Sequence, residues 1–179
     1  METSKTYIHS DGICVYVSVG VSNPLIGKVA LILADLFISG IMVLSVVIWI
    51  PGLLLFSLAT LCLLGKYTLW NFFGKEKLII NTKSFSYQHE YGFFKTPYKT
   101  KLLGKNLILG VTDTGNEAAG NQVRLNFSSY NEIDNVPFEV YAMSFYVLKK
   151  DADYLYDLIE QLYTDKLPED YDFYNISLN

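Results

Sequence analysis

A long apolar block dominates the pattern of hydrophobic and polar positions along the chain. Between residues 29 and 65 the only charged side chain is Asp35, and the apolar character continues to Phe73. A membrane-spanning helix needs about 20 residues to cross about 30 Å of hydrocarbon. We therefore predict two crossings, at residues 28–49 and 52–73. A single kinked helix is the alternative, but it would leave about 15 apolar residues in water.

The apolar block is interrupted near its centre by Pro51 and Gly52. Proline lacks an amide donor and disfavours helix at the preceding residue, and glycine accepts the left-handed backbone of a tight turn. These two residues predict the turn of a helical hairpin. A cleavable signal peptide is disfavoured, because the block begins after residue 25 and is several times longer than the apolar region of a signal.

Lysines flank the two ends of the hairpin but not its turn. Lys5 and Lys28 precede the first crossing, and Lys75, Lys77 and Lys83 follow the second. Because positively charged segments resist translocation, we expect a multi-pass protein of the cell inner membrane with both termini in the cytoplasm.

Two charged residues interrupt the apolar crossings. Asp35 lies 16 positions before Pro51, and Lys66 lies 15 positions after it. At a rise of about 1.5 Å per residue both reach the same depth, near the cytoplasmic boundary of the hydrocarbon. A lone charge is costly there, so we predict that the two residues pair between the helices. A proton or ion relay within an oligomer of hairpins is the alternative.

Beyond Phe73 the apolar residues come in short patches, several with the period of two that indicates a half-buried strand. We predict a mainly antiparallel sheet, which the N-terminal strand also joins. Segment 93–101 contains Pro97 and places three lysines on the same side as this proline, which favours a bent or edge strand. The other predicted strands are residues 13–19, 78–81, 84–90, 106–112, 122–127 and 138–148.

The clearest helical pattern outside the apolar block begins at Asp151, a residue type that caps helices. Apolar positions recur at helical spacing on one face, and acidic positions fall on the other. We predict that this helix packs on the sheet and that its acidic face binds a partner. The apolar positions are Leu155, Leu158, Ile159 and Leu162, and the acidic ones are Asp153, Asp157 and Glu160.

These patterns divide the chain into four segments. They are an N-terminal segment with one strand (1–27), a transmembrane helical hairpin (28–73), a cytoplasmic α+β domain (74–166) and an acidic tail (167–179).

Strands in series closed by one amphipathic C-terminal helix are the plan of the pleckstrin-homology (PH) superfold. Residues 69–100, LWNFFGKEKLIINTKSFSYQHEYGFFKTPYKT, resemble the opening of bacterial PH-like domains that follow a two-helix membrane hairpin. The shared features are an aromatic-rich helix exit, a Gly-Lys-Glu junction, a strand, and a Tyr91-Gly92 pair that ends a second strand. The resemblance implies a PH-like antiparallel sheet or barrel beside a membrane. The basic loop that many eukaryotic PH domains use for phosphoinositides offers only Lys83 here, so that lipid function is not implied.

Charge is distributed unevenly along the domain. Residues 75–105 hold seven lysines and two acidic residues, a net charge of +5, whereas residues 106–179 carry a net charge of −9. Anionic head groups would attract the basic part. A solvated strand face that protects a sheet edge is the alternative. The predicted lipid-facing residues are Lys75, Lys77, Lys83, Lys95, Lys99 and Lys101.

Few motifs suggest catalysis. Asp113-Thr114-Gly115 matches the core of aspartic proteases, but the match is short and its surroundings are typical of a hairpin loop. Neither His9 nor His89 has a second metal ligand at a recognisable spacing, and we expect His89 and Glu90 to form a surface pair. We predict no catalytic residue, no metal, no cofactor and no enzyme activity. The net charge of −4 disfavours nucleic-acid binding.

The sequence therefore predicts a non-enzymatic integral membrane protein whose cytoplasmic PH-like domain binds a protein partner, in a scaffold or immunity-type role. One alternative is an accessory subunit of a channel or transporter, built as a homo-oligomer of hairpins. Another is a module that senses anionic lipid.

Overall fold

The computed structural model describes residues 5–104, 106–113, 122–131 and 133–164. Within these ranges the chain forms nine strands and three helices. The strands are β1 (Lys5–Ser10), β2 (Val15–Gly20), β3 (Gly74–Ile80), β4 (Ser84–Tyr91), β5 (Phe94–Lys95), β6 (Lys99–Leu102), β7 (Leu107–Asp113), β8 (Gln122–Tyr130) and β9 (Pro137–Leu148). The helices are α1 (Leu25–Val47), α2 (Pro51–Phe73) and α3 (Lys149–Thr164).

Helices α1 and α2 are both long and apolar enough to span a membrane. Each has 23 residues, which corresponds to about 35 Å and exceeds the hydrocarbon thickness of about 30 Å. Their large apolar side chains, such as Leu33, Phe37 and Leu55, are mostly exposed within the chain. The two predicted apolar helices are thus present; the end at Phe73 coincides with the prediction, and the other three ends are shifted by one to three residues.

Two serines let the helices of the hairpin approach each other. Ser45 lies six positions before Pro51 and Ser57 six positions after it, and both are buried where α1 packs against α2. Small side chains at a helix contact bring the backbones close together. The hydroxyls are satisfied within their own helices, since Ser45 donates to the carbonyl of Met42 and Ser57 to that of Leu54.

The reversal between the helices falls earlier than the sequence predicts. The left-handed residue is Trp49, with φ of 55°, and Pro51 is already the first residue of α2. Proline suits this position, because its missing N–H would have no partner in the first helical turn. Gly52 therefore lies inside α2 and does not supply the left-handed turn that we predicted for it.

The strands form two antiparallel sheets. Sheet A has the order β1-β2-β3-β4-β5, with β6 also paired to β4, and sheet B has the order β7-β8-β9. Strand β2 covers most of the predicted N-terminal strand and pairs with β3, while β1, which the sequence did not predict, adds a further strand at the edge. Helix α2 ends at Phe73 and β3 begins at Gly74, so no linker separates the helix from the sheet.

One hydrophobic core lies between the two sheets and α3. The two sheets are not closed into a barrel. The class is α+β beside a helical hairpin, and the PH-like form of the domain stays a prediction. The core side chains include Val15, Val17, Val19, Leu78, Ile80 and Phe85 from sheet A, Leu125, Phe127, Met143 and Val147 from sheet B, and Leu155, Ile159 and Leu162 from α3.

The predicted strand at 93–101 is divided at Pro97. Strands β5 and β6 lie on either side of this proline, and both pair with β4. The division separates lysines that one continuous strand would place together. Lys95 forms an ion pair with Glu90, whereas Lys101 donates to the carbonyl of Val140 in sheet B.

Candidate functional site

A buried carboxylate lies where α2 enters the sheet. On β3 the inward positions alternate, and Glu76 occupies the same face as the core residues Leu78 and Ile80. The Glu76 residue is 0% exposed. Burying a carboxylate is costly unless several donors surround it.

Donors from sheet B surround Glu76. The Tyr141 hydroxyl donates to Oε1 at 2.9 Å, and the Ser144 N–H lies 3.0 Å from Oε1 and 3.1 Å from Oε2. The Phe145 N–H adds a longer contact of 3.4 Å to Oε2. His89 Nε2 lies 3.0 Å from the Tyr141 hydroxyl and 3.6 Å from Oε1. We call these residues the Glu76 cluster: Glu76, His89, Tyr141, Ser144 and Phe145.

An irregularity in β9 explains why the N–H groups of this strand are available. The register shifts so that Arg124 faces Tyr146 while Asn126 faces Ala142, which leaves more residues on β9 than on β8. Such a bulge takes backbone groups out of the ladder. The carboxylate of Glu76 accepts the N–H groups of this segment and thereby joins sheet B to sheet A.

The cluster favours a charged Glu76. Burial alone would raise the pKa of the carboxyl, but the interactions with His89, Ser144 and Tyr141 outweigh it, and the pKa lies below its ordinary value of 4.5. Burial, and then the charge of Glu76, raise the pKa of the Tyr141 hydroxyl. Tyr141 therefore stays a donor at neutral pH. With both oxygens occupied by donors, Glu76 is placed to hold the two sheets together.

Trp70, in the last turn of α2, covers the Glu76 cluster. Its ring stacks on Phe145 with a centroid separation of 4.7 Å, and it also contacts Tyr91 at 4.9 Å and His89 at 5.4 Å. The adjacent Gly74 has no room for a side chain, because a Cβ there would lie 2.2 Å from the carbonyl oxygen of Trp70. The end of the apolar helix is therefore packed tightly against the sheet.

Two cavities open on either side of Trp70. One, of about 300 Å³, is lined by Lys66, Tyr67, His89 and Tyr91 among others. The second, of about 230 Å³, has a more polar lining that includes Asn23, Asn71, Gln122 and Ser144. The first lies at the lower limit, and the second below it, of the range of about 300–1,000 Å³ typical of pockets for drug-sized molecules.

Asp35 and Lys66 do not form an ion pair in the described structure. The Lys66 ammonium lies over the ring of Tyr91, 5.7 Å from its centroid. Asp35 Oδ1 is buried and has no hydrogen-bond partner among the described residues, and the same holds for the Thr68 hydroxyl. Within the described residues, Lys66 thus contacts an aromatic ring, and one oxygen of Asp35 accepts no hydrogen bond.

The predicted lipid-facing lysines do not form a single patch. Lys77 and Lys95 both bind Glu90 Oε1, at 2.8 and 3.2 Å, and Lys75 faces Glu90 across the β3–β4 ladder. Burial would raise the pKa of Glu90, but the two ion pairs outweigh it and lower the pKa. The other three lie elsewhere: Lys83 in the turn between β3 and β4, and Lys99 and Lys101 on β6.

The expected surface pair of His89 and Glu90 is wrong. Successive residues of a strand point to opposite faces of the sheet. His89 therefore faces inward to Tyr141 and Glu76, while Glu90 faces outward to Lys77.

Helix α3 exposes the acidic face that the sequence predicts. Asp153, Asp157 and Glu160 are exposed, and the opposite face is buried in the core. Tyr156 lies on the same face and is 54% exposed. None of the three carboxylates has an ion pair within the described ranges. A cavity of about 340 Å³ adjoins this face, between α3 and β7, and its lining includes Tyr156 and Glu160.

The largest described cavity, of about 860 Å³, lies at the end of β3 and β4 that is away from α2. It is lined by the β3–β4 turn, the end of β6 and the start of β9, and its apolar residues include Leu102, Ile133 and Val136. All three are exposed.

Comparison with protein-family models, with curated proteins and with solved structures finds no match for this chain. Among the described residues no group of three or more His, Cys, Asp or Glu side chains is placed to hold a metal ion. His9 lies exposed on β1 and stacks with Tyr16. The protease-like motif falls largely outside the described residues, as does the predicted tail at 167–179.

Three residues at the place where α2 meets the two sheets were not predicted from the sequence: Glu76, Trp70 and Tyr141. A signal for Glu76 was present, because it shares the period of two with Leu78 and Ile80. That alternation places a carboxylate on the buried face of β3, where it needs partners from another element.

Proposed function

We propose that this chain is a non-enzymatic integral membrane protein that presents a PH-like cytoplasmic domain to a protein partner, as a scaffold or immunity-type protein of a bacterial inner membrane. The helical hairpin is the anchor, and both termini lie in the cytoplasm. The binding surface is the outward face of α3.

The observation that carries the proposal is the composition of that face. Asp153, Tyr156, Asp157 and Glu160 recur at spacings of three, four and seven residues, so they form one stripe along α3. The stripe is exposed, and its carboxylates have no cation among the described residues. Tyrosine supplies contact area with a polar tip, and a row of carboxylates selects a basic partner surface.

The direct connection between α2 and β3 supports the proposal that the chain presents its β domain to a partner. No linker separates the helix from the sheet, and Trp70 packs against Phe145, Tyr91 and His89. A domain held in this way keeps its binding face at a fixed position relative to its anchor, which lowers the entropy lost on binding.

The test uses the full chain solubilised from its native membrane. The variant Asp153→Asn/Asp157→Asn/Glu160→Gln removes the three charges of the stripe. The control Asp134→Asn/Glu139→Gln removes two exposed carboxylates elsewhere. We expect one basic protein to co-purify with the wild type and the control, to be lost from the variant, and to rebind in purified form with an affinity that falls as salt rises. Equal recovery with all three chains would contradict the proposal.

A second candidate function rests on Asp35. One buried oxygen of its carboxylate has no hydrogen-bond partner among the described residues. Such an oxygen is costly in a membrane helix and favours contact with another helix or an ion. An accessory role in a channel, a transporter or a homo-oligomer of hairpins would use it. Replacement Asp35→Asn should then abolish oligomer formation or ion flux in vesicles, whereas partner binding through α3 should persist.

A further inference from the structure

The hairpin formed by β4 and β5 exposes two adjacent aromatic side chains, one in its turn and one at the start of β5. Phe93 is 74% exposed and Phe94 is 61% exposed, and their rings lie 4.6 Å apart. We call this pair the aromatic tip. A turn in water is normally built from polar residues, and exposed neighbouring aromatics mark an interaction surface.

The aromatic tip lies beside the last residue of the apolar hairpin. Tyr91 pairs with Gly74 in the β3–β4 ladder, so the turn that follows it is level with the end of α2. Gly92 has φ of 74°, and a Cβ there would lie 3.2 Å from the Cβ of Phe73. The chain therefore brings the turn directly against the end of the helix.

The length of α2 gives the depth of this position. Its 23 residues span about 35 Å, a few ångströms more than the hydrocarbon layer. If α2 crosses the bilayer from Pro51, then Phe73 lies in the head-group layer. Aromatic side chains are enriched there, because a ring tolerates both the acyl chains and the polar surroundings.

Basic residues lie on β3 and β5, close to the aromatic tip in the same sheet. Lys75, Lys77 and Lys95 gather around a single carboxylate, Glu90, and leave an excess of positive charge. Lysines beside exposed aromatics form the combination that binds anionic lipid surfaces. The charge of this region thus complements the head groups at the depth where the tip lies.

We propose that the aromatic tip is a second membrane contact of the β domain, with Phe93 and Phe94 inserted at the boundary between head groups and acyl chains and with Lys75 and Lys95 beside lipid phosphates. The inference rests on the proposed membrane anchoring but not on the protein partner. It fixes the orientation of the domain, with the β4–β5 turn toward the bilayer and the large cavity at Leu102 and Ile133 away from it.

The test measures the depth of three positions in the full chain. In a Cys14→Ser/Cys62→Ser background, single cysteines replace Phe94, Leu55 or Ile133 and carry an environment-sensitive fluorophore. The proteins are reconstituted in vesicles of phosphatidylcholine and phosphatidylglycerol that contain lipids with a nitroxide quencher at a shallow or a deep acyl position. Leu55 is the control within the hairpin, and Ile133, 92% exposed, is the control far from it.

We expect the label at position 94 to be quenched by the shallow nitroxide, as a depth of about 5–10 Å below the surface requires. The label at position 55 should be quenched in the same vesicles, and the label at 133 by neither lipid. Quenching at 55 with none at 94 would overturn the aromatic tip while leaving the anchor intact. Absence of quenching at 55 would overturn the anchor and the tip together. Equal quenching at 94 and 133 would also overturn the tip, because the contact would then not be specific.

Discussion

The Glu76 cluster provides the sharpest test of how the domain is held together. Replacing Glu76 with glutamine keeps the shape of the side chain but removes its charge and turns one acceptor into a donor. The carbonyl oxygen can still serve Tyr141 and one contact of Ser144, whereas the new NH₂ group faces the N–H of Phe145. The substitution weakens the retained bonds and leaves a buried donor unsatisfied.

The magnitude follows from these contacts. A hydrogen bond to a charged group contributes about 1.5–3 kcal/mol, a neutral one about 1 kcal/mol, and an unsatisfied buried donor costs about 1–3 kcal/mol. We therefore expect Glu76→Gln to lower the free energy of unfolding of the β domain by about 3 kcal/mol, which corresponds to a fall in Tm of roughly 12–20 °C.

The assay uses Trp70, whose ring lies on the cluster. A Trp49→Phe background leaves it as the single tryptophan of the chain, and its fluorescence reports urea unfolding of the full protein in detergent. Glu139→Gln is the control, because Glu139 lies on the same strand, β9, but is exposed. Its effect should stay within about 0.5 kcal/mol. If Glu76→Gln destabilised the domain no more than this control, the role assigned to the buried carboxylate would be refuted.

Three further predictions concern the contacts that hold the two sheets and α2 together. The pKa of Glu76 is lowered in the folded state. Its contribution to stability should therefore be complete above pH 4.5, its ordinary pKa, and should be lost as the pH falls through the lowered pKa. Glu76→Gln should flatten this part of a curve of stability against pH. Gly74→Ala should destabilise the domain by about 1–3 kcal/mol in urea unfolding, because the new Cβ would collide with the carbonyl of Trp70. Gly52→Ala is the control: there is open space around this glycine, so the substitution should be neutral or slightly stabilising. Lys101→Met should cost about 1 kcal/mol in the same assay, since it removes the hydrogen bond from β6 to sheet B; no measurable change would show that this bond does not hold the sheets together.

The sequence indicated the helical hairpin because length and apolar composition are sufficient for that prediction. It misplaced the turn, since the left-handed residue is Trp49, whose side chain gives no local sign of that conformation. Pro51 and Gly52, which follow shortly after it, are typical of a turn, but proline is also favoured at the first position of a helix. The position of the reversal therefore depends on whether Pro51 lies in the turn or begins the second helix.

The strands were predicted where alternation was regular and missed where tertiary pairing supplies the stability. Strand β1 has few apolar residues and exists at the edge because β2 offers it a complete ladder. The ends of β3 and β8 extend beyond the predicted segments for a similar reason. Intrinsic preference alone does not report such pairing.

Only part of the contact between β3 and β9 could be predicted from the sequence. The period of two places Glu76 on the buried face of β3, but its hydrogen-bond donors Tyr141, Ser144 and Phe145 lie more than 60 residues away, on β9. No local pattern connects these segments. The outward face of α3 was predictable, in contrast, because three acidic residues and four apolar ones at helical spacing define both faces of one helix.

Whether the hairpin crosses the membrane is measured by the sidedness of two cysteines in intact cells. In a background without Cys14 and Cys62, one cysteine replaces Trp49 at the turn of the hairpin and another replaces Ile133 in the β domain. A membrane-impermeant maleimide should label position 49 in intact cells and position 133 only after lysis. Labelling of both positions, or of neither, before lysis would place the turn and the β domain on the same side and would contradict a hairpin that spans the membrane.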